Sequence, residues 1–180
     1  LLLENSPTVL PAGLVVATLI HIALQKTGGS DWSLVWLVGL VLISATRFLL
    51  NRWSQRRLAP EHLQRTLIMT AAAAFLGGTG WAVLVVFGGP ETPFGARLLV
   101  VITLVGMPVA GLSSLAFCKL AYFAFATPIF VAIIGWAWWF NPGLSIEFTL
   151  IATAHIALVS VMAHRYHENA RRSIQREIEN

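Results

Sequence analysis

Six long apolar runs leave this chain little choice of architecture. They cover residues 8–25, 32–50, 66–87, 96–117, 120–140 and 145–163. Each falls within the roughly 17 to 25 residues a helix needs to cross a bilayer core of about 30 Å at 1.5 Å per residue. Hydrocarbon offers the backbone no hydrogen-bond partner, so a run that enters it closes its own bonds as a helix. Composition agrees: of 180 residues, 57% are hydrophobic and 11% charged, and the mean hydropathy is +0.74. Soluble domains carry charge on roughly a quarter of their residues. The expected fold class is an all-α membrane protein, a six-transmembrane-helix bundle. Only Cys118 and Lys119 divide the fourth and fifth runs, which reads as a tight hairpin, with a re-entrant pair as the alternative. The connections are short, so sequential neighbours are expected to pack antiparallel.

Arginine placement predicts the orientation. The loop after the second run holds Arg52, Arg56, Arg57 and Arg65, the turn after the fourth holds Lys119, and the tail holds Arg165, Arg171, Arg172 and Arg176. The opposite face has only Lys26 and Arg97. Basic loops stay in the cytoplasm, which puts both termini there and Asp31, Glu91 and Glu147 outside. Arg47, near the inner end of the second run, is placed to snorkel to that same inner surface. Trp32, Trp36, Trp136, Trp138, Trp139 and Phe140 mark the outer interface, and Trp53 the inner one. The outer connections 27–31, 88–95 and 141–145 are too small to form a binding domain. A stimulus must therefore enter the bundle or act from the bilayer, and no nucleic-acid partner is expected.

Few side chains inside the runs carry chemistry. His21 and His155 are intramembrane histidines, each of which either bonds a neighbouring carbonyl or hydroxyl or lines a cavity. His155 lies near the midplane, about 15 Å from the outer end of its helix, and His21 only about 6 Å below its own outer end. A cavity reached from the outer leaflet fits this better than joint coordination of one metal or haem. Cys118, His62, His164 and His167 gather at the inner face, the last two at an i, i+3 spacing that suits zinc or copper, but no Cys pair or acidic ligand accompanies them, and solvated interface residues are the favoured reading. Small residues at Ala71 to Ala74, Gly77, Gly78 and Gly80, and at Gly106 and Ala110, point to close helix packing. Pro108 with its flanking glycines, and Pro128, suggest kinks that open carbonyls near Ser113 and Ser114. The expected ligand-binding residues are His21, His155, Thr79, Trp81, Met107, Pro108 and Tyr122. No phosphate loop, metalloprotease helix or nucleophile elbow is present, so no catalytic residue, cofactor or metal is expected. Pro108 and Pro128 lie in adjacent runs rather than in matching halves, which makes a small transporter or channel subunit the lesser reading.

The last run passes into the charged stretch 164–180 with no Gly or Pro between them. Nothing there stops a helix before the terminal Asn180, so the expectation is a helix that leaves the membrane and continues toward an output domain. Ala170, Ile174 and Ile178 recur at four-residue steps, the start of a coiled-coil seam. Arg171, Arg172 and Arg176 rest instead on anionic headgroups if that seam does not form.

Several stretches resemble a known family: Glu4-Asn5-Ser6-Pro7, the segment from Trp36 to Arg47, Gly77-Gly78-Thr79-Gly80-Trp81, Val105-Gly106-Met107-Pro108-Val109-Ala110-Gly111, Ala124-Phe125-Ala126-Thr127-Pro128 and the tail from Ser173. They look like the six-helix membrane input domain found in front of bacterial sensor histidine kinases and GGDEF diguanylate cyclases. The resemblance implies a bacterial inner membrane and a homodimer joined through the C-terminal helix. It also implies two parts, a sensor domain over 1–164 and the start of a cytoplasmic signalling helix over 165–180. The expected role is detection of a lipophilic or membrane-state signal, most readily for a histidine kinase. Regulated output that survives replacement by an unrelated transmembrane dimer would mark a passive anchor instead.

Overall fold

The computed structural model describes residues 6–26, 32–55, 63–115, 118–140, 143 and 145–179, and of residues 6–10, 51, 53–55, 63, 113–114, 170–171 and 173–179 only the backbone. His62, Asp31, Arg56 and Arg57 lie outside the described residues, as do the side chains of Trp53, Ser113, Ser114, Ala170, Arg171, Ile174, Arg176 and Ile178. Six α-helices make up the fold: α1 (Ser6–Lys26), α2 (Trp32–Gln55), α3 (Leu63–Ala82), α4 (Phe94–Leu115), α5 (Lys119–Phe140) and α6 (Ser145–Glu179). A 3-10 helix, Val83–Gly88, extends α3 toward the turn into α4.

Among the described residues, five helices hold stretches long and apolar enough to cross a membrane, Trp32–Leu50, Gln64–Gly88, Phe94–Leu112, Lys119–Phe140 and Ser145–Asn169. In α1 the apolar stretch among residues whose side chains are described is Pro11–Lys26, within a helix of 21 residues. The chain thus has the build of a helical membrane protein. Its outward surface is apolar along α2 and α6, where Leu34, Val38, Leu42, Leu150, Ile151 and Leu158 are exposed. Exposed threonine hydroxyls around the bundle are satisfied locally. Thr18, Thr46, Thr70, Thr79, Thr127 and Thr153 are exposed, and each donates to the carbonyl four residues back on its own helix. This is how a polar group is tolerated on a helix face turned to lipid.

Helix α5 is the hub. It packs on α3, α4 and α6, while α2 lies against α3, and α1 joins α2 to α4. The ring α1–α2–α3–α5–α4 closes, and α6 packs on α5 and less extensively on α4. Sequential neighbours pack together throughout, but the third span meets α4 through its 3-10 extension, Val83–Gly88, rather than through α3 itself. The most extensive contact of the bundle is between α3 and α5. These two run parallel, since Gly78 meets Phe125 and Pro128 while Gly88, further along, meets Trp136. The cause is a small-residue face on α3. Ala71, Ala74 and Gly78 are buried at helical spacing, and a Cβ built on Gly78 would lie against the backbone carbonyl of Phe125 and 2.9 Å from Pro128 Cγ. Small residues let backbones meet where lipid removes any hydrophobic drive to associate. Gly106 and Ala110, expected to serve the same purpose, are exposed, and a Cβ on Gly106 would meet nothing within 4 Å.

The core collects Trp36, Trp81, Leu84, Val100, Leu104, Phe125, Ile129 and Ile133 from α2, α3, α4, α5 and the 3-10 extension. Helices α4 and α5 continue through Pro108 and Pro128. Toward the other end of the bundle, α6 runs without interruption from the apolar stretch into the charged one over 35 residues.

Candidate lateral cleft between α5 and α6

A cleft of about 190 Å³ opens on the side of the bundle between α5 and α6. Tyr122, Phe123, Ala126, Thr127, Phe130, Val131 and Ile134 line it from α5, and Ile156 and Ser160 from α6. The α5 residues fall into two stripes of four-residue steps, 122/126/130/134 and 123/127/131, which is why one helix supplies a continuous wall. Room exists because Ala126 and Ser160 are small among larger neighbours. The two helices run antiparallel: Lys119 pairs with His164, Phe130 with His155, and Trp138 with Thr149.

The wall is apolar apart from a few groups. Thr127 spends its hydroxyl on the Phe123 carbonyl at 2.7 Å. Tyr122 is 1% exposed, and its hydroxyl is buried with no hydrogen-bond partner among the described residues. A buried phenol normally finds a partner, since leaving one unmade costs about 1–3 kcal/mol. Just behind the wall, the His155 ring packs edge-on against Phe130 with centroids 5.8 Å apart, and its Nε2 is likewise buried without a partner.

A polar chain lies one helical turn beyond the Tyr122 and Ser160 end of the cleft. Lys119 Nζ donates to His164 Nδ1 at 2.9 Å, and His164 Nε2 lies 3.1 Å from Glu168 Oε1. Nδ1 must accept from the ammonium, so the proton sits on Nε2 and points at the carboxylate. Of the inner cluster read from the sequence, His164 is therefore engaged by Lys119 and Glu168. Among the described residues no group of three His, Cys, Asp or Glu is placed to hold a metal ion.

Of the seven expected binding residues, Tyr122 lines the cleft and His155 backs it. The rest lie elsewhere. Thr79 is exposed on α3 and bonded to its own helix, and Trp81 is 4% exposed, edge-on to Trp36 at 5.8 Å. Pro108 is fully buried in α4, and Met107 is packed against the core. His21 belongs to a separate polar cluster. Its Nδ1 lies 2.9 Å from Ser33 Oγ, to which Gln25 Nε2 also donates at 3.1 Å. The two histidines thus engage different helix pairs, α1 with α2 and α6 with α5. The sequence carries no mark of the apolar lining residues, because α5 is apolar on every face. No family model, curated protein or solved structure matches the chain.

Proposed function

We propose that this chain is a membrane-embedded sensory input domain of a bacterial signal-transduction protein, most readily a sensor histidine kinase. It crosses the inner membrane six times, α1 supplying the sixth crossing, with both termini in the cytoplasm. One observation carries the reading: α6 forms a wall of the lateral cleft and is also an unbroken helix of 35 residues. Such a helix is about 52 Å long, well beyond a core of about 30 Å. A ligand or a bilayer change that shifts α6 against α5 moves the charged end of the same rod, with no relay in between. The arginine distribution and the resemblance of several stretches to six-helix input domains support the same role, and the C-terminal helix is the homodimer contact.

The test is a fusion of the whole chain, through α6, to a dimeric histidine-kinase core that lacks its own sensor. Autophosphorylation is measured in membranes of varied lipid composition, with one or seven residues inserted at the junction. A sensory rod gives output that follows membrane composition and is altered by one residue, a turn of about 100°, but restored by seven. Output indifferent to both lipid and insertion phase would sink the reading.

A further inference from the structure

We propose that the α5–α6 cleft is a binding site for one anionic glycerophospholipid, with its acyl chain along the groove and an ester carbonyl on the Tyr122 hydroxyl. The argument begins with depth. Lys119 precedes Tyr122 by three residues and Phe123 by four, so all three share a face of α5. Tyr122 is therefore about 4.5 Å further in than Lys119 along the helix. That is the order in which a glycerophospholipid presents its parts, with phosphate at the surface and ester carbonyls just below.

Length supports the same occupant. From Tyr122 to Ile134 the lining covers about 18 Å of helix, comparable to the depth of one leaflet, half of a core of about 30 Å. The groove is apolar over that length, because Thr127 has already committed its hydroxyl to its own helix. What remains is the Tyr122 O–H, buried behind the wall with nothing to donate to, which meets an acceptor in the groove once the ring turns toward it. An ester carbonyl is an acceptor that satisfies it, whereas a plain hydrocarbon does not.

Charge completes the match. Ile156, Ser160 and His164 follow at four-residue steps along α6, so the Lys119–His164 contact stands over the same end of the groove as Tyr122. Lys119 uses one N–H on His164 and keeps two for a phosphate. Arg165 is exposed on the next position of α6. Lys119 and Arg165 stand against the single carboxylate of Glu168, which His164 already engages, and the net positive charge at that end favours an anionic headgroup over a zwitterionic one. This names the ligand class of the cleft on which the sensory reading rests, but occupancy is measured with no output domain present.

The full chain is reconstituted in nanodiscs of phosphatidylglycerol and phosphatidylcholine, released into mild detergent, and its retained lipid is counted by native mass spectrometry. A phosphatidylglycerol carrying a diazirine on its acyl chain maps the position by cross-linking. The expected result is one retained phosphatidylglycerol per chain, cross-linked to residues of the groove. Tyr122→Phe weakens retention about fivefold, the worth of one hydrogen bond, without lowering the unfolding midpoint, because that hydroxyl has no protein partner to lose. Ser160→Leu, which fills the groove from its rim, abolishes retention. Lipid held equally by wild type and both variants, cross-links confined to other helices, or equal retention of phosphatidylcholine would each overturn the proposal. If lipid binds as expected but fused kinase output ignores it, the cleft stands and the sensory reading falls. If the cleft holds no lipid while output still follows membrane composition, the reverse is true.

Discussion

Trp36 on α2 donates its indole N–H to the carbonyl of Gly80 on α3 at 2.8 Å. Gly80 sits in the last turn of α3, which ends at Ala82, and the last four carbonyls of an α-helix have no partner within it. In water such a group is solvated. In a bundle of apolar helices it needs a donor from another element, and an indole is a donor with an apolar body. The same device recurs where the 3-10 extension ends, since Trp136 Nε1 donates to the Gly88 carbonyl at 2.7 Å. Two tryptophans of the interface type thus close the two successive ends of the third span.

Trp36→Phe keeps an aromatic ring beside Trp81 and Phe87 but orphans the Gly80 carbonyl. The expected cost is about 1–2 kcal/mol in reversible unfolding from mixed detergent micelles. Trp138→Phe is the comparison, because its indole bonds Thr149, whose hydroxyl also reaches the Ser145 carbonyl on its own helix. Equal losses for the two variants would refute a capping role for Trp36.

Adjacent glycines on α3 are predicted to behave differently. A Cβ at Gly78 meets the Phe125 backbone and the Pro128 ring, neither of which can swing away, whereas a Cβ at Gly77 meets the end of the Arg47 side chain, 2.7 Å from Nη1. Gly78→Ala must part α3 from α5 and is expected to cost about 3 kcal/mol or more. Gly77→Ala needs only a new arginine rotamer and is expected to cost less than about 1 kcal/mol. Gly106→Ala, in open space, gains helix propensity and should be neutral or slightly stabilising. Unfolding midpoints of the three variants decide the order, and Gly77 ranking below Gly78 would contradict this packing.

These positions also mark how far the sequence could be read. The apolar runs expected at 32–50, 66–87 and 120–140 lie within helices α2, α3 with its extension, and α5, because the length a bilayer demands is written directly in hydropathy. The long α6 was legible for a similar reason, since nothing after Ala163 stops a helix. Partner choice was not. Gly78 and Gly106 look alike in sequence, and only the position of α5 distinguishes a contact from open space. Of the seven residues expected to bind, Tyr122 and His155 lie at the cleft, whereas the hydroxyl of Thr79 and the ring of Trp81 serve their own helix and the core. When every face of a helix is apolar, periodicity cannot say which face turns inward, and a groove lined by Phe130, Ile134 and Ile156 carries no polar signature to find.

The polar cluster between α1 and α2 supplies a third prediction. Ser33 is fully buried; its hydroxyl accepts from Gln25 and is placed to donate to His21 Nδ1. Ser33→Ala strips both partners at once, with an expected loss of about 1–2 kcal/mol. Thr18→Val removes a hydroxyl bonded only within its own helix and should stay within about 0.5 kcal/mol of wild type. The same unfolding assay separates them, and indistinguishable values would mean that the cluster contributes nothing to holding α1 on α2.

His155 should respond in the opposite sense. Its ring packs on Phe130, and its Nε2 is buried with no partner among the described residues, so that nitrogen carries a desolvation cost that no hydrogen bond offsets. Replacing His155 with leucine removes that cost and keeps apolar bulk against Phe130. His155→Leu is therefore expected to unfold at or above the wild-type midpoint, by up to about 1 kcal/mol, while His21→Leu, which deserts Ser33, unfolds below it. A loss of stability in His155→Leu as large as that in His21→Leu would show instead that His155 is a structural contact like any other in the bundle.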